Sequence, residues 1–67
     1  MLITEIERED DGRWIADVPA LPGVIAYGAT EAEARTRVRA LALRVIAERI
    51  EAGEPLPDEI AGMFEPV

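Results

Sequence analysis

Asp10-Asp11-Gly12-Arg13-Trp14-Ile15-Ala16-Asp17-Val18-Pro19-Ala20-Leu21-Pro22-Gly23-Val24-Ile25-Ala26-Tyr27-Gly28-Ala29-Thr30-Glu31-Ala32-Glu33-Ala34 is the stretch whose reading decides the fold. Asp11-Gly12 is a strong hairpin signal, because glycine takes the positive φ that a primed turn requires. A strand over residues 13–18 follows, with Trp14, Ala16 and Val18 on one face and Arg13, Ile15 and Asp17 on the other; period two makes the tryptophan face the better buried. Pro19 and Pro22 cannot donate to a sheet ladder and Gly23 permits a bend, so residues 19–23 connect strands. A third strand over 24–29 leads to Thr30 and Glu33, spaced as a capping box. In that motif the threonine oxygen accepts from the Glu33 backbone N–H and the Glu33 side chain answers at the Thr30 N–H.

Outward from this stretch, residues 1–8 alternate apolar and polar side chains and pair naturally as the antiparallel partner of the second strand. After Thr30 no glycine or proline intervenes until Gly53, and Ala, Leu, Arg and Glu dominate. A helix of about six turns, over roughly 31–52, is therefore expected. Ala34, Val38, Leu41 and Val45 form a stripe for the sheet, while Leu43, Ile46, Ala47 and Ile50 occupy roughly the opposite side. One three-stranded sheet cannot cover both stripes. Either the tail, with Leu56, Ile60, Met63 and Phe64, folds back over the second patch, or another chain covers it. Pro55 and Pro57 end the helix; a turn of helix near Asp58 and a short edge strand over about 62–66 complete the reading, Pro66 tolerating only an edge position. The expected class is α+β: a three-stranded antiparallel sheet on one long helix plus a short C-terminal strand, in the order β-β-β-α-β.

Composition limits the chemistry. The 67 residues make one domain, and a chain of this size buries only about 60% of its unfolded surface, so oligomerisation is the natural staple where no disulfide is possible. Ser, Asn, Gln, Lys, His and Cys are all absent, and every basic side chain is an arginine. Ser-His and Cys-His nucleophiles, lysine Schiff bases and thiolate or imidazole metal sites are thereby excluded, and arginine stays protonated. The net charge of −7 repels a phosphate backbone and attracts a basic protein. With neither a secretory leader pattern nor an apolar run of membrane-spanning length, the expected location is the cytoplasm.

Three constellations invite chemistry. Glu7, Glu9, Asp10 and Asp11 are an acidic cluster that hard cations favour, but they lack the spacing of a calcium loop and read as a solvated hairpin tip. Tyr27-Gly28-Ala29-Thr30 enters a helix as phosphate-binding loops do, yet has one glycine, no lysine and two glutamates where the anion would sit. Arg35, Arg37, Arg39, Arg44 and Arg49 interleave with glutamates around the helix rather than forming a nucleic-acid groove. No metal, cofactor or catalytic residue is assigned. Trp14 reads first as a core residue and second as an interface anchor.

The run D-D-G-R-W-I-A-D-V-P-A-L-P-G, then A-Y-G-A-T-E-A-E-A and a long Arg/Leu/Ala-rich helix ending at Gly53-Glu54-Pro55-Leu56-Pro57, resembles the HicB family of type II antitoxins over nearly the whole chain. The resemblance implies a degraded ribonuclease H-like fold without that fold's catalytic carboxylates. It also implies a non-catalytic antitoxin that binds and neutralises a small, basic, mRNA-cleaving HicA-type toxin. Longer family members append an operator-binding domain; ending at Val67, this sequence supplies none, so no direct DNA binding is expected. Toxin-interface candidates are Asp10, Asp11, Trp14 and Tyr27, and candidates for a homo-oligomer interface are Leu43, Ile46, Ile50, Met63 and Phe64. Two other readings are an orphan HicB-like oligomeric interaction module and a minimal metal-dependent nuclease built on Glu5 and Asp17.

Overall fold

The computed structural model describes residues 2–62. Strands β1 (Glu5–Arg8), β2 (Trp14–Asp17) and β3 (Ile25–Gly28) precede a long helix α1 (Glu31–Glu51) and a single helical turn α2 (Asp58–Ala61). The strands form an antiparallel sheet in the order β1-β2-β3, and α1 packs on one of its faces. The expected α+β class and element order through the long helix are as observed. The expected C-terminal strand, together with Met63 and Phe64, lies outside the described residues.

Each turn follows from its residues. Gly12 has φ +89, but Glu9 N–H donates to Arg13 O at 2.7 Å and Gly12 N–H to Glu9 O at 2.9 Å. The loop is thus three residues long, Asp10 to Gly12, rather than the two-residue primed turn expected at Asp11-Gly12. Only the glycine needs positive φ in this geometry, and no non-glycine residue among those described adopts it. Between β2 and β3, Leu21 N–H donates to Val18 O at 2.9 Å and Val24 N–H to Leu21 O at 3.0 Å, giving two successive turns. Pro22 and Gly23, with φ +89 at the glycine, occupy the centre of the second, the type II pattern. Leu21 stands where the two turns meet and is fully buried.

Helix α1 starts and stops where its sequence dictates. Thr30 Oγ1 accepts from Glu33 N–H at 3.1 Å, as a capping box requires. The Glu33 carboxylate reaches one residue further than expected, accepting from Ala29 N–H at 3.1 Å rather than from Thr30. It also pairs with Arg37, one turn on, at 3.1 Å. At the other end Gly53, with φ +70, donates to Ile50 O at 3.1 Å, and Glu54 N–H donates to Arg49 O at 2.9 Å. These two bonds make a Schellman motif, which satisfies the last carbonyls of the helix.

The core is Ala16, Val18, Leu21, Val24, Ala34, Val38, Ala42, Ile46 and Ile60, with no polar side chain buried among the described residues. On α1 the buried positions recur every four residues, 34, 38, 42 and 46, so the contact stripe drifts around the helix toward its C-terminus. This corrects the expected partition: Leu41 and Val45 are half-buried flanks, and Ile46 leaves the second patch for the chain's own core, at 6% exposure. Ile46 accordingly presents little surface to another chain. Leu56 packs against the core and Ile60 plugs it, yet Leu43 and Ile50 stay exposed. Folding back of the described tail, through Gly62, therefore does not cover the second patch.

Arg37 also reaches the sheet. Its Nη1 donates to Tyr27 O at 2.9 Å. Val18 N–H donates to Val24 O at 3.2 Å, and by alternation along the antiparallel ladder the Tyr27 backbone groups point away from β2, along the outer edge of β3. The helix thus caps the carbonyl on that edge. Among the described residues no helix is long and apolar enough to cross a membrane.

Candidate protein interface

Because α1 covers one face of the sheet, the other face is left to be read from strand register. Glu5 pairs with Asp17 and Asp17 with Ile25; Glu7 pairs with Ile15 and Ile15 with Tyr27. Side chains of paired residues share a face. Two rows therefore cross the open face, Glu5–Asp17–Ile25 and Glu7–Ile15–Tyr27. Carboxylates gather toward β1, and aliphatic and aromatic groups toward β3. Ile25 is 45% exposed and Tyr27 42%, high values for large apolar side chains in a sheet.

The hairpin tip adjoins this face through Arg13. Its guanidinium lies over the Tyr27 ring, 4.9 Å from the centroid, and its Nε donates to Asp11 Oδ2 at 2.8 Å. Asp11 Oδ1 accepts from the Arg13 backbone N–H at 3.0 Å. That backbone bond, helped by the guanidinium, holds the Asp11 carboxyl below the ordinary carboxylate range against the opposing effect of desolvation. Tyr27, Arg13 and Asp11 are thus one connected surface feature.

Of the toxin-interface candidates read from the sequence, Asp10, Asp11 and Tyr27 are exposed, and Tyr27 and Asp11 are joined through Arg13. Trp14 is placed otherwise. It pairs with Gly28, shares the helix-side face with Ala16, and is half-buried against the core. Trp14 and Tyr27 therefore lie on opposite faces of the sheet. Ile15 and Ile25 were not among the surface candidates, and Glu7, read with the acidic hairpin tip, lies in β1 on this face. The signal was present in the alternation of the strands, but singly the isoleucines read as strand formers, and only the register assembles the face.

The chemical capacity of the face follows from its groups. Glu5 and Asp17 sit opposite each other as the nuclease reading requires, but among the described residues no set of three or more acidic side chains is grouped to hold a metal ion. Carboxylates beside exposed apolar groups offer what a basic protein surface needs: charge for steering and register, and apolar area for affinity. Comparison with protein-family models, with curated proteins and with solved structures gives no match to this chain.

Proposed function

We propose that the chain is a non-catalytic HicB-type antitoxin domain, acting in the cytoplasm, that binds and occludes a small, basic, mRNA-cleaving toxin of the HicA type. The observation that carries this reading is the open sheet face, with Glu5, Glu7 and Asp17 toward one edge and Ile15, Ile25 and Tyr27 toward the other. The β-β-β-α order with the helix on one face fits the degraded ribonuclease H-like arrangement of that family. The net charge of −7 suits a basic partner, since complementary fields accelerate encounter and select against wrong partners. In this reading Tyr27 and Ile25 supply the apolar contact, and the strand carboxylates with Asp10 and Asp11 meet basic toxin side chains.

Co-expression with a HicA-type gene encoded next to this one tests the proposal. The expected result is rescue of growth and a complex that survives co-purification. Tyr27→Ala weakens that complex at all salt concentrations, whereas reversing Asp10 and Asp11 to arginine weakens it more at low salt than at high salt. Neither rescue nor complex overturns the antitoxin reading. Absence of any such neighbouring gene favours the orphan interaction module instead.

A further inference from the structure

A second surface of the molecule is independent of the sheet face and of the antitoxin reading. On the solvent side of α1, Thr36, Ala40, Leu43, Ala47 and Ile50 are all exposed, Leu43 at 65% and Ile50 at 48%. Their spacing is four, three, four, three, the alternation that keeps a seam in line along a helix and allows it to pack into a second helix. Ala40 and Ala47 take the a positions of this heptad, and Leu43 and Ile50 the d positions. Leu43 also rims a shallow depression lined by Leu2, Thr4, Val18, Arg39 and Ala42, which extends the seam toward the start of β1.

We propose that this seam pairs with the same seam of a second copy, the two α1 helices running antiparallel. The sequence of the seam selects both the occupant and the direction. In an antiparallel pair each a position faces a d position, so the layers are Ala40 with the second copy's Ile50, Leu43 with its Ala47, and the two reciprocal contacts. Every layer then joins one small and one large side chain, and the alanines let the helices approach closely. A parallel pair stacks alanine on alanine and leucine on leucine, alternating gaps with crowding. It also sets Arg39 of each helix beside Arg44 of the other, two like-charge contacts. The antiparallel register instead sets Arg37 of each helix, which stays bonded to Glu33 and to the Tyr27 carbonyl, level with Glu51 of the other, where the opposite charges attract, against one like pair where Arg44 meets its own copy.

Sedimentation of the purified chain over a range of concentrations tests the pairing. A dimer is expected, and Leu43→Glu with Ala47→Glu is expected to yield monomers whose far-ultraviolet circular dichroism is unchanged, since both positions face solvent within a chain. A wild-type monomer throughout overturns the proposal, as does a dimer that persists in this double variant. The direction is read separately in an otherwise cysteine-free chain. Oxidising a mixture of Leu43→Cys and Ala47→Cys chains is expected to give mainly the mixed disulfide; predominance of like-with-like disulfides overturns the antiparallel arrangement.

Discussion

Gly28 shows how a single missing methyl group fixes the joint between sheet and helix. A Cβ built there lies 2.5 Å from the backbone nitrogen of Ala34 and 3.0 Å from its Cα, so β3 can approach the first turn of α1 only through glycine. Its φ is not positive, and the requirement is one of space rather than of backbone freedom. Gly28→Ala is expected to destabilise the fold by about 1–3 kcal/mol, the usual cost of overpacking, seen as a lower urea midpoint. Asp11 illustrates the opposite situation, an exposed residue held by local bonds. Its carboxyl is held below the ordinary range, chiefly by the Arg13 N–H. The stabilisation is therefore complete above the unfolded-state pKa and is lost as pH falls through the lower folded-state pKa. Asp11→Asn is expected to be less stable than wild type at neutral pH, and the difference should close in acid below the carboxylate range, as urea titrations at the two pH values will show.

Among the elements, α1 was the most legible from sequence and also the most instructive where the reading shifted. Its start at Thr30 and its stop before Gly53 followed from capping chemistry, which is local and needs no tertiary information. Gly53→Ala is expected to cost about 1–2 kcal/mol by forcing a side chain into the left-handed region at φ +70, measured as a fall in melting temperature. Its buried stripe was less legible. An ideal 3.6-residue wheel assigned Leu41 and Val45 to the sheet, whereas the contact runs along the 34, 38, 42, 46 ridge and draws in Ile46. A wheel carries no information about the angle at which a helix crosses its sheet. The hairpin tip behaved in the same way: Asp11-Gly12 announced a turn, but whether two or three residues span it depends on which flanking pair closes the ladder.

At the scale of the whole molecule, what the sequence left open was assembly of surfaces. The open face combines residues from three strands, Glu7, Ile15 and Tyr27 in one row, and no local pattern couples positions so far apart in the chain. Composition, by contrast, was decisive at this scale, because the residue types excluded by the sequence exclude whole mechanisms. The surplus of fourteen acidic over seven basic residues has its own consequence for stability. Self-repulsion of a net charge of −7 opposes compaction, and added salt screens it. Melting temperature is expected to rise as sodium chloride is raised from low to physiological concentration; a flat profile would show that weakening of the attractive arginine–glutamate pairs on α1 offsets the relief of repulsion.

The bond from Arg37 to the Tyr27 carbonyl has a bearing on how copies could add to the sheet. A sheet with two receptive sides can add copies head to tail without end, β1 of one molecule on β3 of the next, and such a contact does not close on itself. Here one acceptor on the β3 edge, the Tyr27 carbonyl, is already bonded to a side chain of the molecule's own helix. A second copy adding to that edge has to displace Arg37 to use this carbonyl, so the arginine sets a cost on growth in that direction.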